Sequence, residues 1–205
     1  MRLELIGLSS LLVLVLAVAG CTALQPPRDE APELHVLDAA PTVRAAPARR
    51  DIVVEIGVPR ARPGFETAQM AYVRAPFALD YYAKSRWADA PARMLGPLFA
   101  QALEQSGGFR AVVRAPSTVP ADVLVDMELV RLQQNFAVRP SRIELTLHAQ
   151  LIDVRGRRIL ATRILEEFEP APSEDAKGGV IAANAALQRL LERLVDFCVV
   201  EFGAR

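Results

Sequence analysis

Ile143, Leu145, Leu147, Ala149 and Leu151 alternate with Glu144, Thr146, His148 and Gln150. Successive side chains of a β-strand point to opposite faces, so this period of two predicts a strand with one buried and one wet face. Such a strand belongs to an antiparallel sheet, because parallel strands are usually covered on both sides. Val123, Val125, Met127 and Leu129 show the same pattern upstream. Arg155-Gly156 turns the chain into a further strand, roughly Arg158 to Phe168. A sheet with one apolar face needs a second layer to cover it.

Two segments can supply that layer. Asp89 as cap, Pro91 in the first turn and Gly107-Gly108 as the stop bracket a helix with Leu95, Leu98, Phe99, Ala102 and Leu103 on one face. Pro97 lies inside it and is expected to bend it. A second helix begins between Ser173 and Gly179. Its apolar stripe holds Val180, Ala183, Leu187, Leu190, Leu191, Leu194, Cys198, Val199 and Phe202, with Gln188, Arg189, Glu192, Arg193 and Asp196 mostly on the other side. Upstream, Asp51 to Val58 reads as a buried strand ended by Pro59 and Pro63-Gly64. Ala68 to Arg74 and Phe77 to Ser85 read as two strands joined near Ala75-Pro76, and Phe109 to Ala115 as a short one. Leu34 to Leu37 suggests a short edge strand, and Ala39 to Arg50 an Ala/Pro/Arg-rich linker. The order predicts an α+β fold: a mostly antiparallel or mixed sheet with two helices packed on one face.

An apolar run from Leu5 to Gly20 ends at Cys21. It is short for a bilayer-spanning helix, which needs about 20 residues. Its length, Arg2 in a thin positive leader and the small residues at its end fit a secretory signal. Val18-Ala19-Gly20-Cys21 looks like a bacterial lipobox, in which the cysteine thiol takes a diacylglycerol and the signal is cut off before it. The other reading is an uncleaved anchor helix with an incidental cysteine. The expected organisation is a signal peptide over 1–20, a lipidated Cys21 with a flexible tether over 21–32, and one periplasmic domain over 33–205. Thr22 follows the cysteine where an Asp would retain an enterobacterial lipoprotein in the inner membrane, so the outer membrane is the expected site. Cys198 is then a single thiol in an apolar pattern, expected to be buried and inert.

Lys plus Arg number 24 and Asp plus Glu 24, which gives no case for nucleic acid. His35 and His148 are the only histidines. No cluster has metal spacing and no Gly-rich phosphate loop occurs, so no metal or cofactor is expected. Glu166 and Glu167 are adjacent on a strand and point apart. The reading favours a binding or structural module over an enzyme, with no catalytic residues assigned. Tyr81, Tyr82 and Trp87 stand among Lys84, Arg86 and Asp89. Either Trp87 covers the helix–sheet seam while Arg86 and Asp89 stay wet, or the three aromatics form a partner-binding surface.

Taken in order, "HVL" at 35–37, "IVVEIGVPRARPGFETAQMAYV", "SRWADAPARML", "VLVDMELVRLQQNF", "LTLHAQLIDVRGRRIL" and the final helix resemble the ABC-type transport auxiliary lipoprotein family, including its paraquat-inducible protein C group. The resemblance implies a non-enzymatic outer-membrane lipoprotein that works with an MCE-domain lipid transporter and docks its periplasmic protein. A domain of this size is too small to enclose a phospholipid, so a surface or a ring of identical subunits is the natural route. An envelope-assembly lipoprotein that activates a peptidoglycan synthase is the alternative.

Overall fold

The computed structural model describes residues 31–40 and 42–203, and among them the chain forms nine strands and two helices. In order these are β1 (Glu33–His35), β2 (Arg50–Ile56), β3 (Arg60–Ala61), β4 (Gln69–Val73), β5 (Leu79–Trp87), α1 (Pro91–Gln105), β6 (Phe109–Arg114), β7 (Val123–Asn135), β8 (Arg142–Asp153), β9 (Arg158–Pro170) and α2 (Ala176–Gly203). Residues 1–30, which hold the expected signal peptide, Cys21 and most of the tether, lie outside the described residues.

The alternating stretches become β7, β8 and β9, an antiparallel meander. β8 pairs with β7 from Val123↔Asp153 to Asn135↔Arg142, and with β9 along its other edge. The second edge of β7 is shared. β2 takes it at Val123 to Val125, β3 at Glu128 and Leu129, and β4 at Gln133 to Asn135, all parallel. β6 joins β2 in parallel, β5 joins β4 antiparallel, and β1 joins β5 in parallel. The sheet is therefore mixed and the fold is α+β, with both helices in one core cluster against the sheet. That cluster unites Phe99 and Leu103 of α1, Leu187, Leu190 and Leu194 of α2, and Met127, Leu147, Leu151 and Leu165 of the sheet. Each such side chain, fully buried, contributes about 1.5–3 kcal/mol.

Three expectations need correction. Asp89 does not cap α1. Ala90 is the N-cap and has no side-chain cap, while the Asp89 carboxylate accepts the Ala90 N–H at 2.7 Å and holds the Arg93 guanidinium. Asp89 stands one residue too early to reach the first free amides of the helix. At the other end Gly107, at φ 64°, stops the helix in the left-handed conformation that suits glycine.

The stretch from 39 to 50 is not a free linker. It is a strap laid over the helices. Asn184 of α2 accepts the Asp38 N–H at 2.7 Å and donates to the Val36 carbonyl at 3.2 Å. Thr42 N–H donates to Glu192 at 3.1 Å, and Ala46 N–H to the Ser106 carbonyl at 2.8 Å. Leu37 and Ala39 enter the core. α2 also buries Ala182, Ala186, Val195 and Phe197 beyond its expected stripe, and on the β9 side the Arg163 guanidinium lies 4.7 Å from the centroid of the Phe197 ring.

Glu144 and Thr146, expected to be wet, are buried at 6% and 5%. They do face away from the helices, but their own neighbours cover them. Arg131, Gln133, Asn135 and Arg142 all donate to the Glu144 carboxylate, with Asn135 at 2.8 Å and Arg142 Nη2 at 3.0 Å. On the helix side, Arg189 and Arg193 of α2 grip Glu167 of β9 at 3.1 and 2.6 Å, and Arg189 also holds Glu169 at 2.6 Å. Glu166 points the other way and is exposed.

Candidate functional site

β5 carries the three aromatic candidates, and the structure gives each a different place. Trp87 ends the strand and is 3% exposed, with its ring in the core cluster. The Trp87 backbone N–H donates to the Ala68 carbonyl at 2.8 Å, and His35 of β1 is its register partner. Arg86 is exposed and Asp89 half-buried. A ring so enclosed offers no surface to a partner while the domain keeps this conformation. Tyr81 is half-buried, and its hydroxyl donates to the Gly64 carbonyl at 3.1 Å. Gly64 has φ 94°, so the turn that Tyr81 holds needs glycine there.

Tyr82 is also half-buried and anchors a polar relay. Its hydroxyl donates to Gln134 Oε1 at 2.9 Å, and Gln134 Nε2 donates to Ser141 Oγ at 2.9 Å. Gln134 and Ser141 are buried, so this relay satisfies their polar atoms. Gly179 of α2 lies so close to the Gln134 amide that a Cβ there would force that side chain to shift. Burial, followed by the nearby Asp175 carboxylate, pushes the Tyr82 hydroxyl well above the usual tyrosine range. The Tyr72 ring lies tilted against it at 4.8 Å between centroids, and Phe136 meets Tyr72 edge-on at 5.9 Å. Tyr72 and Phe136 thus join Tyr82 in an aromatic seam that the segment around Tyr81, Tyr82 and Trp87 did not reveal. Their alternation in "AQMAYVR" was the available signal for Tyr72 alone.

Two further features emerge only in three dimensions. His35 buries its Nε2 without a hydrogen-bond partner, with the Glu33 carboxylate 3.9 Å away. A concavity of about 420 Å³ opens where β2 and β6 end beneath α1. Val58, Pro59, Pro97 and Pro116 form its apolar walls, with Arg93 and Arg114 among its lining. By contrast, the interface between the helices and the sheet is filled by Leu95, Leu129, Leu132, Leu145, Ala183 and Leu187. Cys198 is fully buried, and burial raises its thiol pKa, which keeps it in the unreactive thiol form. Among the described residues, no group of three or more His, Cys, Asp or Glu is placed to hold a metal ion. Among them, also, no helix is long and apolar enough to cross a membrane.

The sequence profile of the ABC-type transport auxiliary lipoprotein component family matches residues 35–195, which run from His35 of β1 into α2. This chain belongs to that family. A crystal structure of a protein from Xanthomonas campestris is similar at a TM-score of 0.76 and 20% identity, covering 83% of this chain and 97% of that one. A hypothetical protein from Chlamydia trachomatis is similar at a TM-score of 0.55 and 13% identity, covering 76% and 100%. At these identities the likeness is one of fold. No curated protein matches by sequence.

Proposed function

We propose that the protein is a non-enzymatic, lipid-anchored component of an MCE-type ABC intermembrane lipid transport system. Cys21 would hold it at the periplasmic face of the outer membrane, where the domain docks the periplasmic MCE protein. The observation that carries this reading is the family membership across 35–195. The lipobox at Val18 to Cys21 supports the anchor. The filled interior bears on the route: lipid passes over a surface, or through a channel shared between copies, and a ring of identical subunits is one closed solution. Tyr81 and Tyr82 are the proposed partner contacts.

The reading is tested in cells. Deleting the gene is expected to weaken the outer-membrane barrier to detergents and toxic lipophiles. The wild-type gene should restore it, and Cys21→Ser should not. A deletion strain with an intact barrier, or full rescue by Cys21→Ser, would count against the proposal.

A further inference from the structure

We infer that the tip of the β4–β5 hairpin is a membrane-contact wedge that seats Phe77 in the headgroup region of the bilayer holding the lipid anchor. This rests on the lipid-anchored reading above. Ala75, Pro76, Phe77, Ala78 and Leu79 form an unbroken apolar run, and every one of them is exposed. A folded domain gains nothing from such a run in water, which marks a contact surface. Phe77 is 109% exposed, so the domain covers none of its ring.

Its backbone adds a second, independent sign. Phe77 has φ 65°, a conformation that is an outlier for a bulky side chain. Ala78 N–H bonds back to the Ala75 carbonyl at 3.3 Å, closing a turn with Pro76 in its second position and Phe77 in its third. Turns of this kind reserve the third position for glycine or asparagine. An aromatic ring there costs backbone energy and wins no burial within the domain. Strain of this sort gathers at functional positions.

The surroundings suit a lipid surface. Phe136 N–H donates to the Val73 carbonyl at 2.8 Å, so the β7–β8 loop leaves the sheet beside the hairpin. It brings exposed Arg139 and Pro140 to the same end. Arg74 flanks the tip, its guanidinium 4.9 Å from the Tyr72 centroid. Both arginines have apolar stems and cationic heads, the shape that lets a side chain lie at a headgroup boundary. Acids share this end too, and Glu169 of β9 among them is held by Arg189. Asp80 follows the run, Glu174 accepts the Ser141 N–H, and Asp175 accepts the Gly178 N–H at the start of α2. The last two are therefore engaged within the fold.

The direction of β1 supplies the occupant. β1 runs parallel to β5 with Glu33 opposite Ser85, and β5 runs away from the tip. The chain therefore enters β1 from the tip side. Ser85 to Leu79 spans about 20 Å of strand. The chain between Cys21 and Glu33 can extend to about 40 Å. A bilayer that holds Cys21 is thus within reach of Phe77, and an aromatic ring is suited to the membrane interface.

The test uses the full-length lipidated protein carrying Phe77→Cys, reconstituted in phosphatidylethanolamine–phosphatidylglycerol vesicles. The new thiol is labelled with a polarity-sensitive fluorophore, since Cys198 is buried and Cys21 is acylated on this reading. Val119→Cys is the control, because Val119 is exposed in the loop leading to the far end of β7. The expected result is blue-shifted emission at position 77 and quenching by lipids spin-labelled near the headgroup, with neither effect at 119. Emission at 77 matching that at 119, with Cys21 acylated by mass spectrometry, would overturn the wedge and leave the anchor standing. A blue shift at 77 that no lipid quencher reaches would assign the tip to a protein contact and overturn it too. An unmodified Cys21 would remove the anchored reading, and the wedge with it.

Discussion

Trp87 and Phe77 end and precede the same strand, and the fold treats them in opposite ways. The Trp87 ring fills the core, so Trp87→Ala leaves a cavity. The expected loss is about 3–5 kcal/mol of stability, read by urea unfolding. Phe77 gives the domain no burial and holds a disfavoured backbone conformation. Phe77→Gly is expected to raise stability by about 1 kcal/mol in the same assay, while weakening contact with vesicles. A loss of stability would mean that the ring packs within the domain. Glu144 offers a pH test. Burial pushes its carboxyl pKa up, but hydrogen bonds from Asn135, Arg142 and Gln133 outweigh it and hold the group below the usual range. A group depressed in the folded state stabilises the fold above its unfolded pKa, and that contribution fades as pH falls through the folded value. Stability should therefore fall as pH drops below about 4.3, and Glu144→Gln should flatten that slope. An unchanged slope would show that the cluster is not responsible.

At the scale of elements, the strap is the part least visible in the sequence. Its backbone bonds go to the Asn184 and Glu192 side chains and to a helix-end carbonyl, so it has no ladder and no period. Asn184→Ala removes the clamp on Val36 and Asp38. Faster amide exchange is expected from 36 to 42, with β7 and β8 unchanged; uniform exchange throughout would contradict a local clamp. The long elements were legible because burial imposes a period on them. β8 alternates against α2, and α2 repeats at three and four residues along its stripe. β3 is too short for any period. The burial of Glu144 was not legible, because alternation gives the face of a side chain and not the length of the neighbours that cover it. The seam of Tyr72, Tyr82 and Phe136 was half legible, since Phe136 comes to the β4–β5 hairpin from the end of β7, far away in sequence.

At the scale of the whole molecule, the architecture places its loops in two groups. The β4–β5 hairpin, the β7–β8 loop and the turn before α2 share one end of the sheet, because Val73, Asn135, Arg142 and Pro170 fall in register there. That is also the side from which the chain enters β1, and on the proposed lipid-anchored reading it would face the anchoring membrane. A domain with a filled core suits the proposed role of an adaptor between a membrane and a partner protein. The central claim is that the partner is an MCE protein. The most direct measurement is affinity purification of the full-length, membrane-anchored protein after in-cell crosslinking, with the recovered proteins identified by mass spectrometry. The account predicts recovery of a periplasmic MCE-domain protein, reduced when Tyr81 and Tyr82 are replaced. Recovery of a penicillin-binding protein with no MCE protein would contradict it.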